Sequence, residues 1–564
     1  MMLGIRGEQE GEALERCFAI DHSSASSDSS YCFYGEESIE HGLDSCFYEE
    51  KSPPDELFGE ITAAARCEGS TDSNGMERSG SPASDDAFLI AAGSFDRHHS
   101  AFDREQGLLR DDGDEQQQWE ALVEGVLDCS ADAQSESIGG QGYLDAQHQD
   151  DDDHRAAENA TSDSNKEEKI ELVDLLVACA QAISAKSTSL IHCLLARLGE
   201  LASPHGSTAM ERLAAYFTEG LACRLASQRP DLYKPLSLET DPSPGSACSS
   251  EAEEESIAAY HILNHVSPIV KFAHFSANDA ILEAFQGRKK VHVIDLDVGQ
   301  GLQWPALFQA LANRSEGPPS LVRISGIGPF KDSVQETGDR LAEFAQALGL
   351  CFEFHAVVER LEEIRLWMLH VKDGEAVAVN CIGQLHRSLL DRQQIQGVME
   401  LIRSTKPEVV AIVEHEAEHN VECFEARFAG SLRYYAAMFD ALDSSVVVVD
   451  GESSLSARTR VEKTIFAREI RNIVGCEGED RIERHERFEG WKRMLEEEGF
   501  RNRGMSQRAI VQAKLLLEMF LCPEYRIDKL EGKDENGSRE CCEGITLGWL
   551  DQPLVTVSAW SLIR

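Results

Sequence analysis

Between residues 169 and 285, apolar positions recur at the spacing of helix faces. Leu172, Leu175, Leu176, Cys179, Ala180 and Ile183 form one run, and Ile191, Leu194, Leu195 and Leu198 extend the pattern. Further helices are expected over Met210–Leu225, Ile257–Val270 and Ala277–Phe285, around a loop rich in Pro, Ser and acids at 235–255. From Val291 the period changes. Short β-branched or apolar runs at Val291–Leu296, Leu321–Ser325, Phe352–Val357, Ala376–Asn380 and Val409–Val413 alternate with helical patterns. Those patterns cover Trp304–Ala312, Val334–Leu348, Leu361–Leu369, Gln393–Ile402 and Val421–Leu442. Strands alternating with helices imply a parallel sheet covered on both faces. Farther on, Ile545–Trp549 and Leu554–Trp560 flank Leu550–Pro553 and read as an antiparallel hairpin at the sheet edge. The expected fold class is α/β: a Rossmann-like, doubly wound sheet over 286–564, preceded by a mainly helical cap over 169–285.

The pattern fails in residues 1–168, which are rich in Ser, Asp, Glu, Gly and Gln. They hold about 41 acids and 10 bases, so the front of the chain carries most of its net charge of -47. Such a segment buries too little apolar surface to offset chain entropy, and a disordered acidic arm is expected. Apolar islands among its acids, such as Ala87–Phe95 and Trp119–Leu127, have the make-up of segments that dock on partners. Charge also bears on the partner class. Tight binding to a phosphate backbone needs Lys and Arg to displace counterions, and the chain has no basic stripe. Its compact triplet, Arg288-Lys289-Lys290, reads as a turn before a strand or as part of a nuclear import signal. The 16 cysteines form no CxxC pair, and Cys179, Cys193, Cys223 and Cys381 sit in apolar patterns, as reduced, buried thiols do. Met1–Cys17 lacks the apolar core of a secretory signal, and no apolar run approaches the ~20 residues of a bilayer span. The expected setting is cytosol or nucleus, with no membrane.

Chemistry is most concentrated in Val291-His292-Val293-Ile294-Asp295-Leu296-Asp297-Val298-Gly299-Gln300-Gly301. A strand ending in an acid and a Gly-x-Gly turn is where doubly wound folds bind cofactors, and the order resembles the first motif of S-adenosylmethionine-dependent methyltransferases. Three features oppose that use. Asp297 stands where the motif has its first Gly, and the following strand ends Ser325-Gly326-Ile327-Gly328-Pro329 without an acid for a ribose. Trp304-Pro305 places a large ring where a ligand would enter. We therefore expect a cofactor-type turn filled by side chains, with no cofactor; the alternative is a small-molecule-binding or methyl-transferring domain.

His415-Glu416-Ala417-Glu418-His419 fits HExxH, but it follows a strand rather than lying on the continuous helix that aligns zinc ligands. No catalytic, cofactor-binding or metal-ligating residue is assigned. His386, alone after a strand, reads as structural, and Arg481–Arg487 as an ion-paired helix face. Leu172, Leu175 and Leu176 form an LxxLL pattern, suited either to docking in a partner's groove or to the domain's own core.

Taken in order, these segments resemble the GRAS family of plant transcriptional regulators, over essentially Lys169 to Arg564. Val291, His292, Val293, Ile294 and Asp295 match its VHIID core, followed by Gln303, Trp304 and Pro305. Pro407, Tyr434, Tyr435, Arg468 and Glu469 fit the spaced PFYRE signature, with Tyr434 replacing Phe. Arg484, His485, Glu486, Trp491, Trp549 and the run Ser558, Ala559, Trp560 match the SAW region. Arg365–Leu369 and Glu416–Asn420 look most like a scarecrow-like branch associated with cell division and growth-hormone response. Asp55-Glu56-Leu57-Phe58 shares only the opening letters of a DELLA segment, so a gibberellin-regulated repressor is not implied. The resemblance implies a methyltransferase-like sheet with a helical cap, nuclear residence and regulation without enzymatic activity. It further implies contact with DNA-binding transcription factors and pairing, with itself or with relatives, through the cap. Charge makes direct DNA binding the weaker option.

Overall fold

In the computed structural model of the chain, residues 155–230, 250–445, 454–520, 522–533 and 540–563 are described. The expected disordered arm lies outside them up to residue 154, and helix α1 (Arg155–Ser184) begins ahead of Lys169, where the apolar period starts. Among the described residues four more helices follow with no strand between them: α2 (Thr188–Leu201), α3 (Ala209–Gln228), α4 (Ser250–Val266) and α5 (Pro268–Ala284). Local chemistry sets their starts. The Thr208 hydroxyl accepts the Glu211 N–H at 3.2 Å while the Glu211 carboxylate accepts the Thr208 N–H at 2.8 Å, a reciprocal cap on α3. Ser267 caps α5, with Pro268 in its first turn, where a missing N–H costs nothing. Thr208→Ala is expected to lower stability by about 1 kcal/mol, read as a shift in urea midpoint at unchanged slope.

The sheet begins with β1 (Lys290–Asp295), followed by α6 (Trp304–Ala312), β2 (Leu321–Ile327), α7 (Lys331–Ala347) and β3 (Phe352–Val357). Next come β4 (Ala376–Ile382), α8 (Arg392–Ser404), β5 (Val409–His415) and the long α9 (Phe424–Ser444). Helices α10 (Ser454–Val461) and α11 (Ala467–Gly475), joined by the π-turn Glu462–Phe466, precede α12 (Phe488–Glu497), β6 (Phe500–Asn502) and α13 (Gln507–Phe520). Three long strands end the chain: β7 (Tyr525–Lys533), β8 (Glu540–Trp549) and β9 (Gln552–Leu562).

Strand order is β3-β2-β1-β4-β5-β9-β8-β7, with β6 also on β9. The first five are parallel, and β9 runs antiparallel to β5 with Val410 opposite Trp560. The order reverses between β1 and β4, the switch point beside which open α/β sheets hold their ligands. On one face Ile294, Val379, Ile412 and Trp560 share a core with Met399 of α8 and Leu495 of α12. On the other, α5 packs on β4, β5 and β9, while α7 packs on β2 and β3. Cap helix α3 crosses α11 closely enough that a Cβ on Gly475 would lie 3.2 Å from the Gly220 carbonyl.

Several expectations need correction. The β8–β9 hairpin is not at the edge: β9 lies against β5, and β7 forms the outer strand. The charges of Tyr525-Arg526-Ile527-Asp528-Lys529 mask β7 in the sequence, although charge suits an edge strand. Leu361–Leu369 is no helix but two 3₁₀ turns, Leu361–Glu363 and Leu366–Leu369. Ile364 and Leu369 are buried as single anchors, while Trp367 is 73% exposed between them. The segment 481–487 has no regular secondary structure and is not a helix. Cys179 and Cys381 are buried, but Cys193 is exposed and Cys223 half-buried. Of the basic triplet, Lys290 opens β1 and Arg288 pairs with Glu408 at 2.8 Å.

Candidate functional site

At the switch point, β1 ends in Asp295 and the chain turns at once into α6. The turn is tied to both neighbouring strands, Leu296 N–H donating to the Asn380 carbonyl and Val298 N–H to that of Ile327. Gly301 has φ +70°, and a Cβ there would lie 2.9 Å from Thr337 on α7. The space beneath is filled. Trp304 Nε1 donates to Asp295 Oδ2 at 3.0 Å, and Asn380 Nδ2 donates to Asp295 Oδ1 at 2.9 Å. The Gln303 amide bridges Asn380 and Asn278, at 3.1 Å to each side-chain oxygen, and Asn278 returns a bond to the Gln303 carbonyl at 3.0 Å. All five side chains are buried. Burial pushes Asp295 up to about 8, against the N–H groups of Asn380 and Trp304 that favour its anion. Asp297 accepts Gln384 Nε2 at 2.7 Å. Burial and the carboxylates of Asp297 and Asp295 push the Tyr260 hydroxyl of α4 up.

The rest of the VHIID segment is structural. Val291, Val293 and Ile294 are buried sheet positions, and Pro305 sits in the first turn of α6. Ser325 Oγ donates to the Leu369 carbonyl at 2.8 Å and so accepts from His292 Nε2 at 2.9 Å. Burial holds His292 down near 3, a neutral ring with its proton on Nε2.

A second polar assembly lies where β4 and β5 end. His386, in the 3₁₀ turn Leu385–Ser388, places Nδ1 2.7 Å from Glu414 Oε2 and Nε2 2.8 Å from Glu483 Oε2. Glu414 is itself held by the Leu385 N–H at 2.8 Å, and Arg387 reaches Glu483 at 3.3 Å. Burial alone would depress His386, but Glu414 and Glu483 hold its imidazolium up to about 9. His485 packs its ring on those of His386 and His415, and its Nδ1 lies 2.9 Å from His419 Nδ1. Burial holds His415 near 4, His419 near 3 and His485 well below its usual value, so these three are neutral.

The HExxH residues do not form a protease site. Glu416 accepts the Phe488 N–H at 3.1 Å and the Thr556 hydroxyl at 2.6 Å, capping α12.

The spaced signature residues fall into two groups. Around the histidines, Tyr435 stacks on His419 and donates to Glu469 at 2.7 Å, while Tyr434 stacks on His415 and donates to the Leu554 carbonyl at 2.9 Å. Arg484 donates to the carbonyls of Arg481 and Gly478 and to Asn420, whose amide donates to Glu486 at 3.1 Å. The others brace the frame. Pro407 is buried before β5, Trp491 and Trp560 lie in the sheet core, and Trp560 Nε1 donates to Ser558 at 2.9 Å. Ala559 faces Ala411 across strands, Trp549 donates to Asp440 at 2.8 Å, and Arg468 is exposed. Leu172 and Leu176 are spent in the chain's own core and Leu175 is half-buried, so of the three leucines Leu175 alone is left part-exposed, near the exposed Ile170. Asn278, Asn380 and Glu414 were missed in the sequence. A lone polar residue in an apolar run, as Asn380 and Glu414 are, is the one signal that marks two of them.

The model of the GRAS domain family matches residues 172–561. Scarecrow-like protein 28 of Arabidopsis thaliana is 46% identical over 416 residues, covering 72% of this chain and 61% of that protein. Protein DWARF AND LOW-TILLERING of Oryza sativa subsp. japonica is 47% identical over 399 residues, covering 70% of this chain and 62% of that protein. The matched region thus spans about three fifths of these relatives' lengths. The crystal structure of SCL7 in Oryza sativa superposes with a TM-score of 0.58 at 34% identity, covering 69% of this chain and 99% of that one.

Proposed function

The chain belongs to the GRAS family of plant transcriptional regulators, and from that premise we propose that it is a nuclear co-regulator working through protein partners rather than an enzyme. The filled switch point carries this reading. The position where open α/β sheets, methyltransferases included, hold a ligand is here given to Asp295, Gln303, Trp304, Asn380 and Asn278, locked to one another. What remains for function is surface. The folded domain binds DNA-binding transcription factors, and its helical cap pairs with a second copy or a relative. The acidic arm engages the transcription machinery. The likeness of Arg365–Leu369 and Glu416–Asn420 to scarecrow-like motifs supports a role in growth, cell division or hormone response. Net charge makes the chain a poor ligand for DNA by itself. No helix among the described residues is long and apolar enough to cross a membrane.

The test tethers the full chain to a heterologous DNA-binding domain upstream of a reporter in plant cells. Reporter output is expected to change, and deletion of residues 1–168 from the fusion is expected to abolish most of the change. A tethered full chain that leaves output at the level of the DNA-binding domain alone would overturn the reading.

A further inference from the structure

The second polar assembly has a geometry that hydrogen bonding alone does not explain. His386, Glu483 and His485 each offer one ligand atom within 4.8 Å of the others in a fully buried site, with Glu483 Oε2 2.8 Å from His386 Nε2 and 3.5 Å from His485 Nε2. Each imidazole is aimed from behind. His386 Nδ1 is fixed by Glu414, itself anchored by a backbone N–H, and His485 Nδ1 is fixed by His419. A carboxylate or second acceptor behind a histidine is the outer shell that orients metal-binding imidazoles. The independent sign is His485 Nε2. It has no hydrogen-bond partner, the residue is 1% exposed, and the nitrogen stands 3.5 Å from Glu483 Oε2, too far for a hydrogen bond. An unpaired ring nitrogen facing a buried carboxylate is costly unless something sits between them.

We propose that His386 Nε2, His485 Nε2 and Glu483 bind one divalent transition metal of the zinc class. Two neutral imidazoles and a carboxylate are a donor set that zinc accepts, leaving a fourth position for water. Binding transfers the Nε2 lone pair of His386 to the metal and releases the proton which that nitrogen otherwise shares with Glu483. The role is structural. The metal ties segment 481–487, which carries Arg484, His485 and Glu486, to the turn after β4 and, through Glu414, to β5. This is not the HExxH reading: Glu416 caps α12, while His415 and His419 only pack behind His485. The inference is independent of the regulatory reading above.

The experiment uses untagged full-length protein dialysed against metal-free buffer and analysed by elemental mass spectrometry. One zinc per chain is expected to be retained, and Co²⁺ replacing it is expected to give the visible absorption of a low-coordinate site. Prolonged chelation should lower the melting temperature, and Zn²⁺ should restore it. His485→Asn keeps a donor, its amide N–H, near the place of Nδ1 but has no Nε2, and is expected to weaken metal retention by at least about tenfold. If that variant fails to fold, the wild-type stoichiometry and Co²⁺ spectrum still decide. Wild-type protein without stoichiometric metal, with no Co²⁺ spectrum and the same melting temperature with and without Zn²⁺, would overturn the site. So would a folded His485→Asn variant that retains metal as the wild type does.

Discussion

Arg212→Met is expected to remove about 3–5 kcal/mol of stability at neutral pH, because it strands a buried carboxylate. Arg212 on α3 reaches both oxygens of Glu462 at 3.0 Å, Asp443 at 2.5 Å and the Gly206 carbonyl at 3.1 Å, and neither Arg212 nor Glu462 is exposed. The pair joins the cap to the π-turn after α10. Burial pushes Glu462 up to about 7, with Arg212 opposing it. The folded state therefore holds the proton more tightly than the unfolded chain, whose carboxylate titrates near 4.5. Stability from this group is present below that value and lost as pH rises through 7. Without Arg212 the folded value climbs further, so the loss should be larger at pH 8 than at pH 5. Urea denaturation at the two pH values measures it. The double variant Arg212→Met, Glu462→Leu should recover most of the loss, since a well-packed apolar pair replaces a buried ion pair at little cost, while Asp443 keeps Arg458 at 2.8 Å. Equal losses at both pH values, with no recovery in the double variant, would show that the pair is effectively solvated.

How far such features are legible in the sequence depends on how locally they are encoded. The alternation of Val291–Leu296, Ala376–Asn380 and Val409–Val413 with helical stretches is a pattern of neighbours, and it yields the parallel sheet directly. Trp304 behind the turn was readable as a blocking ring by size alone. The partners that complete the closure were not readable. Asn278 and Asn380 stand 25 and 77 residues from Gln303, and only the folded sheet brings them to it. The same holds for His386, whose carboxylates lie 28 and 97 residues away. In sequence it is a lone histidine after a strand, and the more conspicuous HExxH letters draw the eye to its neighbours. Segment 481–487 misled for a related reason. Its mixed charges suit a solvated helix face, yet Arg481 and Arg484 bond to loop carbonyls, and Glu483 and His485 are buried. Periodicity cannot distinguish charges that face water from charges paired in the interior.

Trp304→Ala should be the most damaging change at the switch point, costing about 3–5 kcal/mol from the emptied ring volume alone. The ring is fully buried on the first turn of α6, and its N–H is one of the two side-chain donors that Asp295 receives. Removing it deprives a carboxyl already pushed up by burial of a favourable partner. Trp304→Phe separates the two contributions. It keeps most of the apolar volume, loses the donor, and should cost about 1–3 kcal/mol. Chemical denaturation of the full chain, followed by tryptophan-independent far-ultraviolet dichroism, gives both values. The ordering carries the argument: if Trp304 closes the turn as a packed plug, the alanine variant must lose clearly more than the phenylalanine variant. If both unfold at the wild-type midpoint, the ring is not part of the core. The turn would then have to be regarded as a site able to open to a ligand, against the regulatory reading that rests on its closure.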